Sequence, residues 1–369
     1  MSWTERICMP FMLLTEIENY LEEILGNLDF TSLDKFLNQH MRAEMNFGEL
    51  VSQIAVHGLD ALNKENLTML VFDALFYELS IAKPIFVKML VFGVLFSVVQ
   101  KLLATKNRYI SDISFFMIYA VIMVLLMQSF FLVRDLALEG IANLLMFLNA
   151  LIPTYAVTLA FAGNAVSGAV LYEIAFLLVY AVELLLKNFL SPIIQVFVLV
   201  LFLNHLFEED TLSKLAEFME KIVGILLKTA FGAVIGLSVV QSMLTPVKDR
   251  LSSSAVLSGL SSIPGVGNVL GSSGEIILSC GMLIKNSVGI IGMIILFVLA
   301  AMPVVKIGCF WGMYQILSIV LQPIADKRVT ECVSAVGRGC DLYLKIIVYT
   351  MLLFLVLFSM VSAATSFIF

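Results

Sequence analysis

IILSCGMLIKNSVGIIGMIILFVLAA, residues 276–301, decides the fold. Its one charged side chain is Lys285. The run is long enough to cross a bilayer, because about 20 residues rising 1.5 Å each traverse a hydrocarbon core of roughly 30 Å. Stretches of similar length stand on either side of it: 85–105, 110–133, 169–186, 189–207, 222–245, 304–322 and 342–369. Together they predict an all-α, polytopic integral membrane protein with about eight transmembrane helices. Composition agrees: the chain is 60% hydrophobic and 14% charged, with a mean hydropathy of +1.01. Soluble domains carry about a quarter charged residues.

A ninth apolar stretch, 140–163, is interrupted by Asn143, Asn149 and Pro153-Thr154-Tyr155. Lys and Arg collect in short cytoplasmic loops. If this stretch is re-entrant or interfacial, then Lys101, Lys106, Arg108, Lys187, Lys248, Arg250, Lys327, Arg328, Arg338 and Lys345 all fall on the cytoplasmic side. The acidic head and the C-terminus then lie outside. That head, residues 1–84, holds 13 acidic and 5 basic residues, a charge of −8 against −6 for the whole chain, so residues 85–369 carry +2. It reads as a small cluster of amphipathic helices beside the membrane domain, with Asn46 and Glu49 at capping-box spacing. An exported head needs a signal, yet residues 7–14 follow a single Arg6 and contain Pro10, a short apolar core for that purpose. Three readings stay open: Met1 is not the native start, a signal has been trimmed, or the head is cytoplasmic.

Segments 169–245 and 276–369 share a plan. Each runs apolar helix, a proline step (Ser191-Pro192 or Met302-Pro303), apolar helix, a charged piece and a last apolar helix. In this topology they would be inverted repeats, a recurring transporter device.

The residues that could carry function are intramembrane charges, costly against lipid and hence markers of a pathway: Glu173, Glu183, Lys228, Lys285 and Lys306. Snorkelling to the interface is the alternative for several of them. Residues 251–274, LSSSAVLSGLSSIPGVGNVLGSSG, contain Pro264, Gly265 and Gly267. They lack the strand and the Gly-Lys-Ser/Thr of a phosphate loop. The segment reads as a loop dipping into the membrane domain or lying at its interface, with Ser272 and Glu275 capping the next span. Gly232 and Gly236 form a GxxxG, which favours close helix packing within the protein or with a partner, a homo-oligomer included. Cys8, Cys280, Cys309, Cys332 and Cys340 show no metal-ligand or redox spacing and read as unpaired. No catalytic constellation is present, and His205 stands alone before Glu208, Glu209 and Asp210. No enzyme activity, cofactor, metal or nucleic-acid partner is expected.

Several motifs then follow in order: Ile263-Pro264-Gly265-Val266-Gly267, Gly274-Glu275, Leu283-Ile284-Lys285-Asn286 with Gly289 and Gly292, Pro303, Lys306, and Gln322-Pro323-Ile324-Ala325-Asp326-Lys327-Arg328. In order and spacing this stretch resembles the stage III sporulation protein AE family, and the likeness runs from Ile85 to the C-terminus. The resemblance implies a multi-spanning component of the mother-cell apparatus of endospore-forming bacteria, in the membrane surrounding the forespore. There it would act with the other proteins of the stage III sporulation A operon and a forespore membrane partner, in a channel complex needed for late forespore gene expression. Family members begin with a signal sequence, a pattern from which this chain departs.

Overall fold

A computed structural model describes residues 31–40, 46–57, 108–206, 211–261, 267–323 and 325–366, with scattered positions between 25 and 98. Every regular element among them is helical: α1 (Thr31–His40), α2 (Phe47–His57), α3 (Arg108–Phe161), α4 (Ala165–Leu184), a π-helical turn (Leu185–Leu190), α5 (Ser191–Leu206), α6 (Ser213–Ser261), α7 (Gly267–Leu321) and α8 (Lys327–Ser366). The predicted all-α class therefore stands among the described residues, where the helices do not divide clearly into eight spans; most of the expected 85–105 span lies outside the described residues. Four helices among the described residues are long and apolar enough to cross a membrane: Tyr119–Phe161, Gly168–Leu206, Ser279–Leu321 and Lys327–Ala363.

The difference arises where breaks were expected. The 110–133 span and the doubtful 140–163 stretch are one continuous helix, α3, of 54 residues, about 80 Å long at 1.5 Å per residue. Residues 140–161 therefore do not re-enter as a separate segment. Spans 276–301 and 304–322 likewise fuse into the 55-residue α7, through Pro303. Proline removes one helical hydrogen bond and usually kinks or ends a helix. In α3 Pro153 lacks the N–H that would bond the Asn149 carbonyl, and the adjacent Thr154 hydroxyl donates to the neighbouring Ala150 carbonyl at 3.3 Å. Before Pro192 the chain widens into the π-helical turn, and the Ser191 N–H bonds the Leu186 carbonyl five residues back. Residues 251–274 are also mostly helical. α6 runs to Ser261 and α7 opens at Gly267, so Ser272 and Glu275 lie inside α7 instead of capping it. Residues 262–266, with Pro264 and Gly265, lie outside the described residues.

Two sharp turns organise the bundle. After α3, Gly163 takes φ of 79°, the Asn164 N–H bonds the Leu159 carbonyl, and the Gly163 N–H bonds the Ala160 carbonyl. This is a Schellman ending, in which glycine carries the left-handed residue without strain. After α7, Asp326 accepts the Arg328 N–H at 2.8 Å and caps α8. Asp326→Ala is expected to cost about 1 kcal/mol, a typical N-cap loss. Faster amide exchange confined to the first turn of α8 checks it.

α3, α7 and α8 pack together at the centre, with α4 on α3, and α5 and α6 on α8. α7 runs opposite to α3: Gly281 lies at Phe161, Gly289 at Tyr155, Gly292 at Leu151 and Pro303 at Gly140. α4 and α5 also run opposite to α3, since Gly168 meets Ala156 and the Phe202 carbonyl accepts from Tyr119. α6 and α8 return. Segments 169–245 and 276–369 therefore pass along the bundle axis in the same direction. The basic residues also sit at several heights. Lys327 and Arg328 lie at one end, while Lys345 is two residues beyond Tyr343, whose hydroxyl meets Ser191 near mid-bundle.

From the head, α1 and α2 pack onto α3 and α7. Phe36 meets Phe147 with ring centroids 5.6 Å apart. Asn46 caps α2, accepting the Glu49 N–H at 3.3 Å, one arm of the expected capping box.

Candidate functional site

The five charges picked out by sequence do not converge. Glu173 and Glu183 stand on the exposed face of α4, Lys228 on the exposed face of α6, and Lys306 is half-buried on α7. Gly267 is the first residue of α7. Lys285 differs from the others: it is wholly buried, at 0% exposure. An ammonium group in such a place must be held by polar groups, because desolvating it is otherwise prohibitive.

Its setting follows from the crossing of α3 and α7. Lys285 lies one turn from Gly281 and one turn from Gly289, both packed directly on the end of α3. Helical side chains lean toward their own N-terminus. α7 opposes α3, so that lean carries Lys285 toward the last turn of α3. There the helix presents its uncompensated carbonyls and the negative end of its dipole. The Phe161 carbonyl oxygen faces Gly281. Thr158 and Asn164 are both fully buried at the same corner. The Asn164 amide donates to the Ala162 carbonyl at 3.0 Å, while its side-chain oxygen has no hydrogen-bond partner among the described residues. The corner thus brings the buried Lys285 to the level of the helix-end groups of α3. Such an arrangement can hold an anion or a proton in transit, or lock the two helices together.

On the outer side of the same corner a groove of ≈ 660 Å³ runs between α3 and α4. Pro153, Ala156, Ala160, Gly168, Tyr172 and Glu173 line it. Glu173 thus borders a cavity, whereas Glu183 faces outward.

Sequence reasoning missed a second polar system. At mid-bundle Asp135 pairs with Arg134 at 2.8 Å, and Arg134 donates to the side-chain oxygen (Oε1) of Gln195 at 3.4 Å. The Gln195 amide donates to Ser191 at 3.2 Å, and Ser191 meets the Tyr343 hydroxyl at 3.1 Å. This chain ties α3, α5 and α8 from the surface to the core. Toward the end where α8 begins, the Tyr119 hydroxyl donates to the Phe202 carbonyl at 2.7 Å and touches Cys332. Ser129 bonds Tyr314, and His205 meets Glu331 at 3.0 Å. Among the described residues Cys280, Cys332 and Cys340 are buried and form no disulfide; Cys8 lies outside them. The available signal was hydroxyl and amide side chains inside apolar runs, which act as interhelical glue. Their partners lie up to 213 residues away in sequence, as for Tyr119 and Cys332.

The comparisons with known proteins agree on the family. The model of the family described as stage III sporulation protein AE matches residues 45–365. The chain is similar to "Stage III sporulation protein AE" of Bacillus subtilis (strain 168), at 25% identity over 332 residues, covering 87% of this chain and 82% of the relative. No solved structure matches.

Proposed function

Because this chain belongs to the stage III sporulation protein AE family, whose name assigns it to sporulation, we propose that it is a non-enzymatic membrane subunit of a transport or channel complex linking mother cell and forespore. In this reading it sits in the mother-cell membrane around the forespore, acts with the other proteins of its operon and a forespore partner, and supports late forespore gene expression.

The observation that carries the transport element is the burial of Lys285. An ionisable group inside an apolar bundle is retained where a pathway needs it or where it fixes structure. Replacement by methionine keeps the length and removes the charge. Lys285→Met is expected to abolish late forespore reporter expression while the protein still accumulates and co-purifies with its partners. Normal sporulation in that strain would sink the conduit reading.

A second reading, a non-conducting scaffold that recruits complex partners, is favoured by the closeness of the packing. Gly281, Gly289 and Gly292 bring α7 directly onto α3, and Gly140 rests on Pro303. For the scaffold, Lys285→Met would leave sporulation intact and deletion of the head would abolish assembly. Flux by the purified protein alone in liposomes would instead identify an independent small-molecule exporter.

A further inference from the structure

We propose that α4 and α6 together form a docking face for a second copy of this chain, α4 of each copy lying against α6 of the other. The two helices are neighbours in the bundle, and their outward faces are opposite in shape and in charge. On α4, Tyr172, Phe176 and Tyr180 project, exposed at 45%, 58% and 63%, with the Tyr172 and Phe176 rings stacked at 6.4 Å. Glu173 and Glu183 share that exposed side. On α6 the exposed positions include Lys228, Gly232, Ala233 and Gly236. Beside Gly232 and Gly236 the space is open for 4 Å. One helix therefore offers an aromatic ridge with carboxylates, and the other a shallow small-residue groove with an ammonium.

Depth along the bundle brings these features into register. The Asn204 side chain accepts the Leu212 N–H at 2.7 Å, so the end of α5 and the start of α6 lie at one level. Counting back from Asn204, Tyr180 is 24 residues away (204 less 180). Counting forward from Leu212, Gly236 is also 24 residues away (236 less 212). The ridge and the groove thus stand at the same height. Glu183 and Lys228 are 21 and 16 residues from the same bond. That difference is about 7 Å at 1.5 Å per residue, which a lysine side chain can bridge. Rotation about the membrane normal leaves every residue at its own depth, so these matches survive between copies. A twofold axis between two adjacent helices makes each contact occur twice.

Charge supplies the need for a partner. Glu183 faces outward from Gly168–Leu206, a helix long and apolar enough to cross a membrane, where lipid would penalise an unpaired charge, and Lys228 faces outward from the neighbouring α6. Neither has an ion-pair partner among the described residues. A heterologous protein or lipid alone could also cover such a face, but neither accounts for both halves of the complementarity lying on one chain.

The test uses the full chain carrying either of two affinity tags, co-expressed and reconstituted in lipid nanodiscs. Wild-type copies are expected to capture one another. Lys228→Glu on both copies, or Glu183→Lys on both, should lose that capture. Pairing a Lys228→Glu copy with a Glu183→Lys copy should restore it, because lysine again meets glutamate at both contacts. Each variant alone must elute as a monodisperse species. Independently, with native charges, Tyr180→Cys on one tagged copy and Gly236→Cys on the other should cross-link tag to tag on oxidation. Capture unchanged by the single reversals, or absence of the cross-link, would overturn the proposal.

Discussion

Gly281→Ala is expected to destabilise the protein severely, by about 3 kcal/mol or more, the upper range for overpacking in a close-packed interior. A Cβ at this position would lie 2.5 Å from the Phe161 carbonyl oxygen and 2.8 Å from its carbon. Both are backbone atoms, held by the Schellman turn at Gly163, and cannot rotate away. Relief requires α7 to move off the end of α3, which also loosens Gly289 from Tyr155 and admits water or lipid to the buried Lys285. The measurement is thermal unfolding of the detergent-solubilised protein beside Gly292→Ala. There the nearest atom, at 2.6 Å, is the far end of the Leu151 side chain, which can turn. If both variants melt together, the close approach at Gly281 is not what holds the corner.

The membrane class was legible because it needs one-dimensional information, run length and charge depletion. Asn46 and Glu49 showed at their expected spacing because a cap is a contact between near neighbours. The number of spans was not legible. Apolar runs joined by Arg134, Asp135 and Glu139, or by Met302-Pro303, look the same in sequence whether the helix reverses or continues. Continuity is settled by what packs against the junction, here Gln195 on Arg134 and Gly140 on Pro303. The site divided along the same line. Lys285 and Glu183 are both lone charges in apolar helices, and a helix apolar all round has no readable inner face. Three glycines packed on α3 put Lys285 inside, while Glu183 remained on the open side of α4.

The junction of α3 and α7 yields the second large effect. A Cβ on Gly140 would lie 2.6 Å from the Pro303 Cβ and 2.7 Å from its Cγ, atoms of a rigid ring. Gly140→Ala is therefore expected to cost about 2–3 kcal/mol, again as overpacking. Pro303→Ala cannot relieve it, because alanine keeps the offending Cβ. Pro303→Gly removes that atom and the ring with it. Glycine has its own penalty inside a helix, roughly 1 kcal/mol relative to alanine, but it also returns the N–H that proline lacks. The double variant Gly140→Ala/Pro303→Gly should thus recover much of the loss, with a coupling of about 1–2 kcal/mol, within the range for residues in direct contact. Unfolding of the four species under one detergent condition closes the cycle. Additive effects would mean that α3 and α7 do not meet at these residues, and that the helices part where the sequence first suggested a break.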